Sequence, residues 1–299
     1  MRVVVTGGTG FIGRHLCADL LSRGYFVTAM GTRQPQEGAH SDQFRHIQAD
    51  TTVAGAWQEA VNQADLVFNL TGITIFHRWS AAYKKRIYDS RILTTRHVAA
   101  ALAPTAVLIN TSAVGYYGDG GDTELTETSP CGRDFLALLA RDWEAEASVA
   151  RDKGVRVVLP RFGIVLGADG GALASMLPAF RNFVGGPLGS GRQWFPWIHV
   201  QDLIGALNFL SAQDDLEGPV NLCAPNPVRN VEMARALGRV LSRPAKMAVP
   251  SLALKMMMGR ELTAVLLASQ RSIPARLMAA GFAFAFPEIE AALKDLVAA

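Results

Sequence analysis

Residues 6–13 read TGGTGFIG, and the fold turns on this stretch. It follows a β-branched run, Arg2-Val3-Val4-Val5-Thr6, and opens a segment with helical spacing, Phe11–Arg23. Strand, glycine-rich turn and helix in that order form the context in which a dinucleotide fingerprint carries meaning. Two versions of the fingerprint fit, Gly8-x-Gly10-x-x-Gly13 and Thr6-Gly7-x-x-Gly10-x-x-Gly13. In either version the glycines permit a tight turn and bring backbone N–H groups against a pyrophosphate. The helix N-terminus then faces negative charge. An ordinary glycine-rich turn would not need the alternating pattern that surrounds this one.

That pattern extends outward. Short apolar runs recur at Phe26–Met30, Leu66–Leu70, Val107–Thr111 and Val155–Leu159, with longer helical segments between them, such as Ala81–Leu102. The alternation predicts an α/β fold built on a doubly wound parallel Rossmann sheet. Near-continuous apolar strands agree, because helices cover both faces of such a sheet. After about residue 165 the rhythm breaks. Glycine and proline cluster in GGPLGSGRQWFPW at 185–197, a strand follows near Val220–Leu222, and the last fifty residues are mostly helical in pattern. We therefore expect a dinucleotide-binding Rossmann domain over 1–165. Residues 166–299 should form a smaller, mostly helical C-terminal substrate or cap region, with 197–222 packing back on the first domain.

Composition narrows the possibilities. Of 299 residues 49% are hydrophobic and 18% charged, which suits a globular chain with a sizeable core. The 29 basic and 26 acidic residues are interspersed, which argues against nucleic acid as a partner. No apolar run has the length of a membrane span. A strand-like segment straight after Met1 leaves no room for a signal peptide. Cys17, Cys131 and Cys223 are odd in number and lack metal-ligand spacing, as expected for reduced thiols in the cytoplasm.

The choice of dinucleotide is read at the end of the second strand, Met30-Gly31-Thr32-Arg33. An NAD site places an acidic residue there for the ribose 2′-hydroxyl. This chain has none. Arg33 is instead suited to fork onto a 2′-phosphate, with Thr32 adding a hydroxyl, which favours NADP(H). A solvated surface arginine is the alternative.

Further along come NLTG at 69–72, RW at 78–79, DSR at 89–91, SAVGYYG at 112–118 and DFLA with DWE between 134 and 144. RFGIVLG at 161–167, GGPLGSGRQWFPWIH at 185–199 and GFAFAFP at 281–287 complete the set. In this order the motifs resemble the extended short-chain dehydrogenase/reductase superfamily. Within it they most resemble the "epimerase family" proteins, a group also labelled nucleoside-diphosphate-sugar epimerases. The resemblance covers nearly the whole chain. It implies an NADP-binding Rossmann domain plus a C-terminal cap, and no particular substrate. On that resemblance Gly7, Gly10, Phe11, Ile12 and Gly13 form the phosphate loop. Leu70, Thr71 and Gly72 lie beside the adenosine ribose and pyrophosphate, Arg91 contacts cofactor, and Pro160 sits above the nicotinamide. Core packing and a strand stop are the alternatives for Leu70 and Pro160.

The superfamily's catalytic tyrosine and lysine stand four residues apart, so that both reach one helix face. The five tyrosines here are Tyr25, Tyr83, Tyr88, Tyr116 and Tyr117, and none has lysine four residues later. If Glu144 matches the superfamily's helix glutamate, Leu136 and Ala140 fill the two positions. A shift of one residue gives Phe135 and Leu139. Ser112 stands where the superfamily serine belongs and is the candidate catalytic residue, with a strand-end cap as the alternative. Arg78, Tyr117 and Arg192 are candidate substrate contacts, the arginines for a phosphate or carboxylate; packing against the cap is the alternative for the tyrosine, and a solvated surface position for the arginines. His77, Trp79, Gln193 and Trp194 are secondary candidates, while His199 and Asp202 more plausibly fix the cap. Two functions follow: an NADP(H)-dependent oxidoreductase or epimerase acting on a small carbonyl or nucleotide sugar, or a non-catalytic NADP(H) sensor.

Overall fold

The structure is a computed structural model and describes residues 1–34 and 41–298. Its central sheet has seven main strands: β1 (Arg2–Thr6), β2 (Phe26–Gly31), β3 (Phe44–Gln48), β4 (Leu66–Asn69), β5 (Val107–Asn110), β6 (Arg156–Phe162) and β7 (Gly218–Leu222). They run in the order β3-β2-β1-β4-β5-β6-β7, and every pairing is parallel. The strand order reverses between β1 and β4. In an open α/β sheet the crevice beyond the strand ends at that point is the ligand site.

Alternation along each strand divides the core. Val3, Val5, Leu66, Phe68, Ile109 and Val158 face one side. There they pack on α1 (Phe11–Ser22) and α6 (Val200–Ala212), whose Leu16, Leu20, Leu203 and Leu207 are buried. Val4, Val67, Leu108 and Val157 face the other side with Trp57 and Val61 of α2 (Trp57–Asn62) and Val98 of α3 (Ala81–Ala101). Each apolar strand is thus covered on both faces, which is why its sequence shows no polar alternation. β3, FRHIQ, is an edge strand of mixed polarity, and it lies outside the apolar runs read from sequence.

The C-terminal part is tied to this frame by short pairings. Trp197–His199 pairs with Ile164–Leu166, Trp194–Phe195 with Val228–Arg229, and Arg271–Ser272 with Glu124–Leu125. β7 joins the main sheet beside β6. Helices α7 (Asn230–Leu241), α8 (Ser251–Met258), α9 (Arg260–Leu266), α10 (Ala275–Ala279) and α11 (Ile289–Ala298) complete it, after α4 (Phe135–Ser148) and α5 (Gly171–Arg181) earlier in the chain. His199 caps α6, its Nδ1 accepting from Gln201 N–H at 3.1 Å. Asp202 accepts from the N–H groups of Ala285 and Phe286 at 2.8 and 2.9 Å. Asp202 thus ties the 281–287 segment to α6, and the His199 ring stacks on Phe286 at 4.0 Å. No helix among the described residues is long and apolar enough to cross a membrane.

Candidate functional site

A cleft of about 430 Å³ opens at the C-terminal ends of β1, β4 and β5. Its first wall is backbone. Gly7 has φ +70°, and a Cβ there would stand 2.9 Å from Leu70 O. A Cβ on Gly13 would stand 2.3 Å from Gly7 O. Only glycine lets the turn close this tightly against the end of β4. α1 then starts at Gly10, with no side-chain cap and no acidic residue in its first turn. Its leading N–H groups lack intrahelical acceptors, and Gly10, Phe11, Ile12 and Gly13 line the cleft. A helix terminus left open in this way suits an anion.

Leu70, Thr71, Gly72 and Arg91 line the cleft next to that loop. Gly72 is glycine for a local reason, since a Cβ there would meet Arg91 Cζ at 2.9 Å. The Arg91 guanidinium donates only to carbonyls, Ile87 O at 3.1 Å and Ile73 O at 3.2 Å, and lies 5.3 Å from the Trp143 ring centre. Burial lowers its pKa to about 10, which leaves it cationic at neutral pH. A desolvated cation with no carboxylate partner is suited to receive an anionic ligand. Thr71 Oγ1 and Thr111 Oγ1 are buried with no hydrogen-bond partner among the described residues, and both residues line the cleft. Orphaned buried hydroxyls call for an occupant with polar groups. Glycine cradle, uncapped helix, free cation and orphaned hydroxyls together fit a dinucleotide.

The second wall is α4. Leu136, Leu139, Ala140 and Trp143 face the cleft. Phe135 turns away, edge-on to Trp79 at 5.2 Å and with Lys84 Nζ 5.3 Å from its ring centre. Of the two registers for the missing dyad, Leu136 with Ala140 has both members in the cleft lining. Unlike α1, this helix is capped, because Asp134 Oδ1 accepts from Leu136 N–H at 2.9 Å and Ala137 N–H at 3.0 Å.

Ser112 lines the cleft, and its hydroxyl donates to Glu144 Oε1 at 2.6 Å. Arg161 grips the same carboxylate with two bonds, Nε to Oε1 at 2.7 Å and Nη2 to Oε2 at 2.8 Å. Burial alone would lower the Arg161 pKa, but the hydrogen bonds and charge of Glu144 outweigh it, and the net direction is upward. Arg161 Nη1 also donates to Tyr117 OH at 3.0 Å, and that hydroxyl donates to Asn221 Oδ1 at 2.6 Å. Burial pushes the Tyr117 pKa up to about 12 against the pull of Arg161. Tyr117 is therefore a protonated member of an internal network, outside the cleft lining. Ser112 has its proton committed to Glu144, so its oxygen offers lone pairs to the cleft.

The other candidates divide. Pro160 lies within β6 opposite Val220 and is buried, and Phe162, Gly163 and Val165 take its expected place along the cleft. Thr32 and Arg33 are exposed just past β2. The glycine loop abuts that strand end, with Gly8 N–H donating to Met30 O at 3.0 Å. Arg78 and His77 are exposed on the loop after β4, outside the cleft lining, and the Trp79 indole closes that loop by donating to Ile75 O at 2.8 Å. Arg192 is exposed and also outside it, its carbonyl accepting from Arg229. Gln193 and Trp194 bond to Leu188 O and Asp122 Oδ1 within the cap junction. The three proposed substrate contacts are thus not gathered in the cleft. Sequence reading missed Thr111 and Trp143, and it used Glu144 only to set register. A signal for the ion pair existed, because an arginine inside an apolar strand demands a buried acid.

Among known families, the model of the NAD dependent epimerase/dehydratase family matches residues 3–223. The chain belongs to that family. A domain of unknown function matches residues 249–296. Among relatives of this epimerase-family chain, the chloroplastic SDR39U1 homolog of Arabidopsis thaliana is 41% identical over 99% of this chain and 87% of its own. Human epimerase family protein SDR39U1 is 38% identical over the full length of both. The crystal structure of human SDR39U1 (isoform 2) with NADPH superposes with TM-score 0.89 at 36% identity, covering 100% of this chain and 99% of that one. A nucleoside-diphosphate sugar epimerase from Corynebacterium glutamicum gives 0.78 at 32% identity, covering 99% of this chain and 58% of that one.

Proposed function

We propose that this protein is an NADP(H)-dependent oxidoreductase or epimerase acting on a small carbonyl or nucleotide-sugar substrate. In this reading Ser112, backed by Glu144, stands in for the missing tyrosine and lysine. The observation that carries it is the 2.6 Å bond from Ser112 Oγ, in the cleft lining, to the buried Glu144 carboxylate behind it. The cofactor is NADP(H). The Arg33 position without a carboxylate agrees, as does the NADPH held by human SDR39U1. Among the chain's own residues, Gly10, Phe11, Ile12 and Gly13 with Arg91 bind the phosphates, and Arg33 receives the 2′-phosphate. When bound, the nicotinamide supplies a hydride donor or acceptor. Ser112 Oγ accepts the proton of a substrate hydroxyl while its own proton moves to Glu144 Oε1, and the reverse path returns it. Arg161 fixes the Glu144 carboxylate with its two bonds. Leu136, Leu139 and Trp143 exclude water from that side.

The test is Ser112→Ala, assayed with NADPH against small carbonyls and nucleotide sugars. Turnover should fall about 10²-fold or more, with NADPH affinity unchanged within threefold. An unchanged rate would defeat the role of Ser112. The apolar pair Leu136 and Ala140 favours a second reading, a non-catalytic NADP(H) sensor. Tight NADPH binding with no turnover of any panel member would select it.

A further inference from the structure

We infer that the substrate is an apolar alcohol or carbonyl compound and not a nucleotide sugar. This rests on the oxidoreductase reading above and names the substrate class for the same cleft. A nucleoside diphosphate brings charged phosphates, and proteins meet these with guanidinium or ammonium groups or with open helix N-termini. Arg91 is the only cation that lines the cleft among the described residues, and it sits against Gly72 on the phosphate-loop side. The N-terminus of α4 is closed by Asp134. Around Ser112 the larger side chains of the lining are Ile75, Phe76, Leu136, Leu139, Trp143 and Val165, with Ala113, Gly115, Ala140, Phe162 and Gly163 between them. The one polar atom these side chains carry, Trp143 Nε1, donates away to Thr95 Oγ1 at 2.8 Å. That part of the cleft therefore presents mostly apolar side chains, with the Ser112 and Thr111 hydroxyls as its side-chain hydrogen-bonding oxygens and no cation.

A second observation lies at the mouth. Phe76 lines the cleft yet is 55% exposed. Arg78, two residues on, has its Cγ 3.8 Å from where a Cβ on Gly259 would stand. The helix ending just before Gly259, α8, leaves Leu252, Met256 and Met257 exposed at 67%, 69% and 72%. Phe76 thus sets an exposed apolar side chain in the lining itself, a surface for apolar contact. Arg78 itself lies outside the cleft lining and makes no ion pair among the described residues.

The test uses the full-length protein. NADPH is titrated first, then 2-octanol, 2-octanone and UDP-glucose into the NADPH-loaded protein, followed by nicotinamide fluorescence and thermal shift. We expect both eight-carbon probes to saturate with Kd at least tenfold below that of UDP-glucose. Leu136→Asp should weaken them at least tenfold and leave NADPH affinity within threefold. Phe76→Asp, at an exposed position that leaves folding intact, should weaken them in the same sense. Tighter saturable binding of UDP-glucose overturns the proposal, as do failure of both apolar probes to saturate and affinities indifferent to the two aspartates. If NADPH itself does not bind, the cofactor reading falls, and this one with it. If NADPH binds and UDP-glucose is preferred, the substrate class alone is wrong.

Discussion

Two helices border the same cleft in opposite ways. α1 begins at a glycine with no side-chain cap and turns its open N–H groups towards the cavity. α4 begins at Asp134, which closes its first turn, and turns Leu136, Leu139 and Ala140 towards the cavity. One wall is built of backbone and the other of side chains. A backbone wall can be made only by residues that permit its geometry, so its chemistry stays bound to a glycine pattern. A side-chain wall can change its chemistry with no change of fold. This contrast accounts for a chain that keeps the glycine pattern of the first wall while the cleft face of the second carries leucine and alanine and no tyrosine or lysine.

The largest expected effect breaks the backbone wall. Gly10 is exposed, its backbone is extended at φ −77°, and the only close neighbour of an added Cβ is Gly7 O at 3.1 Å. Gly10→Val should therefore fold, with a side chain standing where phosphate must come. NADPH affinity should drop by at least about 100-fold, or ~2.7 kcal/mol, with Tm nearly unchanged. Calorimetric titration beside a melting curve reads both. Normal NADPH binding by the folded variant would remove the loop from the site.

Next in size is the support of the side-chain wall. Arg161→Met leaves the Glu144 carboxylate buried with Ser112 as its remaining donor. Removing one partner of a buried pair costs about 3–5 kcal/mol, and urea unfolding should show it. Arg161→Met combined with Glu144→Leu should recover much of that loss, because no uncompensated charge then remains. If the single variant is as stable as wild type, Glu144 is not held as described.

These two cases also mark what the sequence discloses. The glycine loop was legible because each glycine answers a local steric demand, and TGGTGFIG states all of them within eight residues. The buried strands β1, β4, β5 and β6 were legible as apolar runs. β3 was not, since an edge strand need bury only part of FRHIQ. The Glu144–Arg161–Tyr117–Asn221 network joins residues up to 104 positions apart, and no local period announces such pairing. For Pro160 the sequence leaves nicotinamide contact and core packing or a strand stop open; it is buried opposite Val220, and its strand runs on to Phe162. Tyr117 reads in sequence as a substrate contact or as packing against the cap, and its burial with bonds to Arg161 and Asn221 agrees with packing.

A smaller effect sharpens the specificity of the backbone wall. Arg33→Ala should weaken NADPH by about 1.5–3 kcal/mol, the range for a charge-assisted bond, and towards its lower end because Arg33 is exposed. NADH affinity should not change, since the 2′-phosphate is the only group addressed. Parallel titrations with the two cofactors measure the difference. An equal loss for both would mean that Arg33 acts on the loop and not on the phosphate.

The smallest change in cofactor binding should come from rebuilding the side-chain wall. Positions 136 and 140 lie one helical turn apart on the same face, and both line the cleft. Leu136→Tyr with Ala140→Lys would restore the superfamily pair there. NADPH affinity should shift by less than about 1 kcal/mol, because the side chains replaced carry no polar atom to lose. Ala140 is only 3% exposed, so the new lysine would be desolvated and its pKa driven down. A lysine in that state still lowers the pKa of a neighbouring tyrosine when charged, and reduction of 2-octanone should rise above the wild-type rate. The control is Phe135→Tyr with Leu139→Lys. Phe135 packs on Trp79 and Lys84, so a tyrosine there points away from the cleft and should gain nothing. If the 135/139 pair gains activity and the 136/140 pair does not, the helix is rotated relative to this description. If the 136/140 pair instead loses NADPH as completely as Gly10→Val, α4 helps to bind the cofactor, and the division between a backbone wall that binds and a side-chain wall that reacts is wrong.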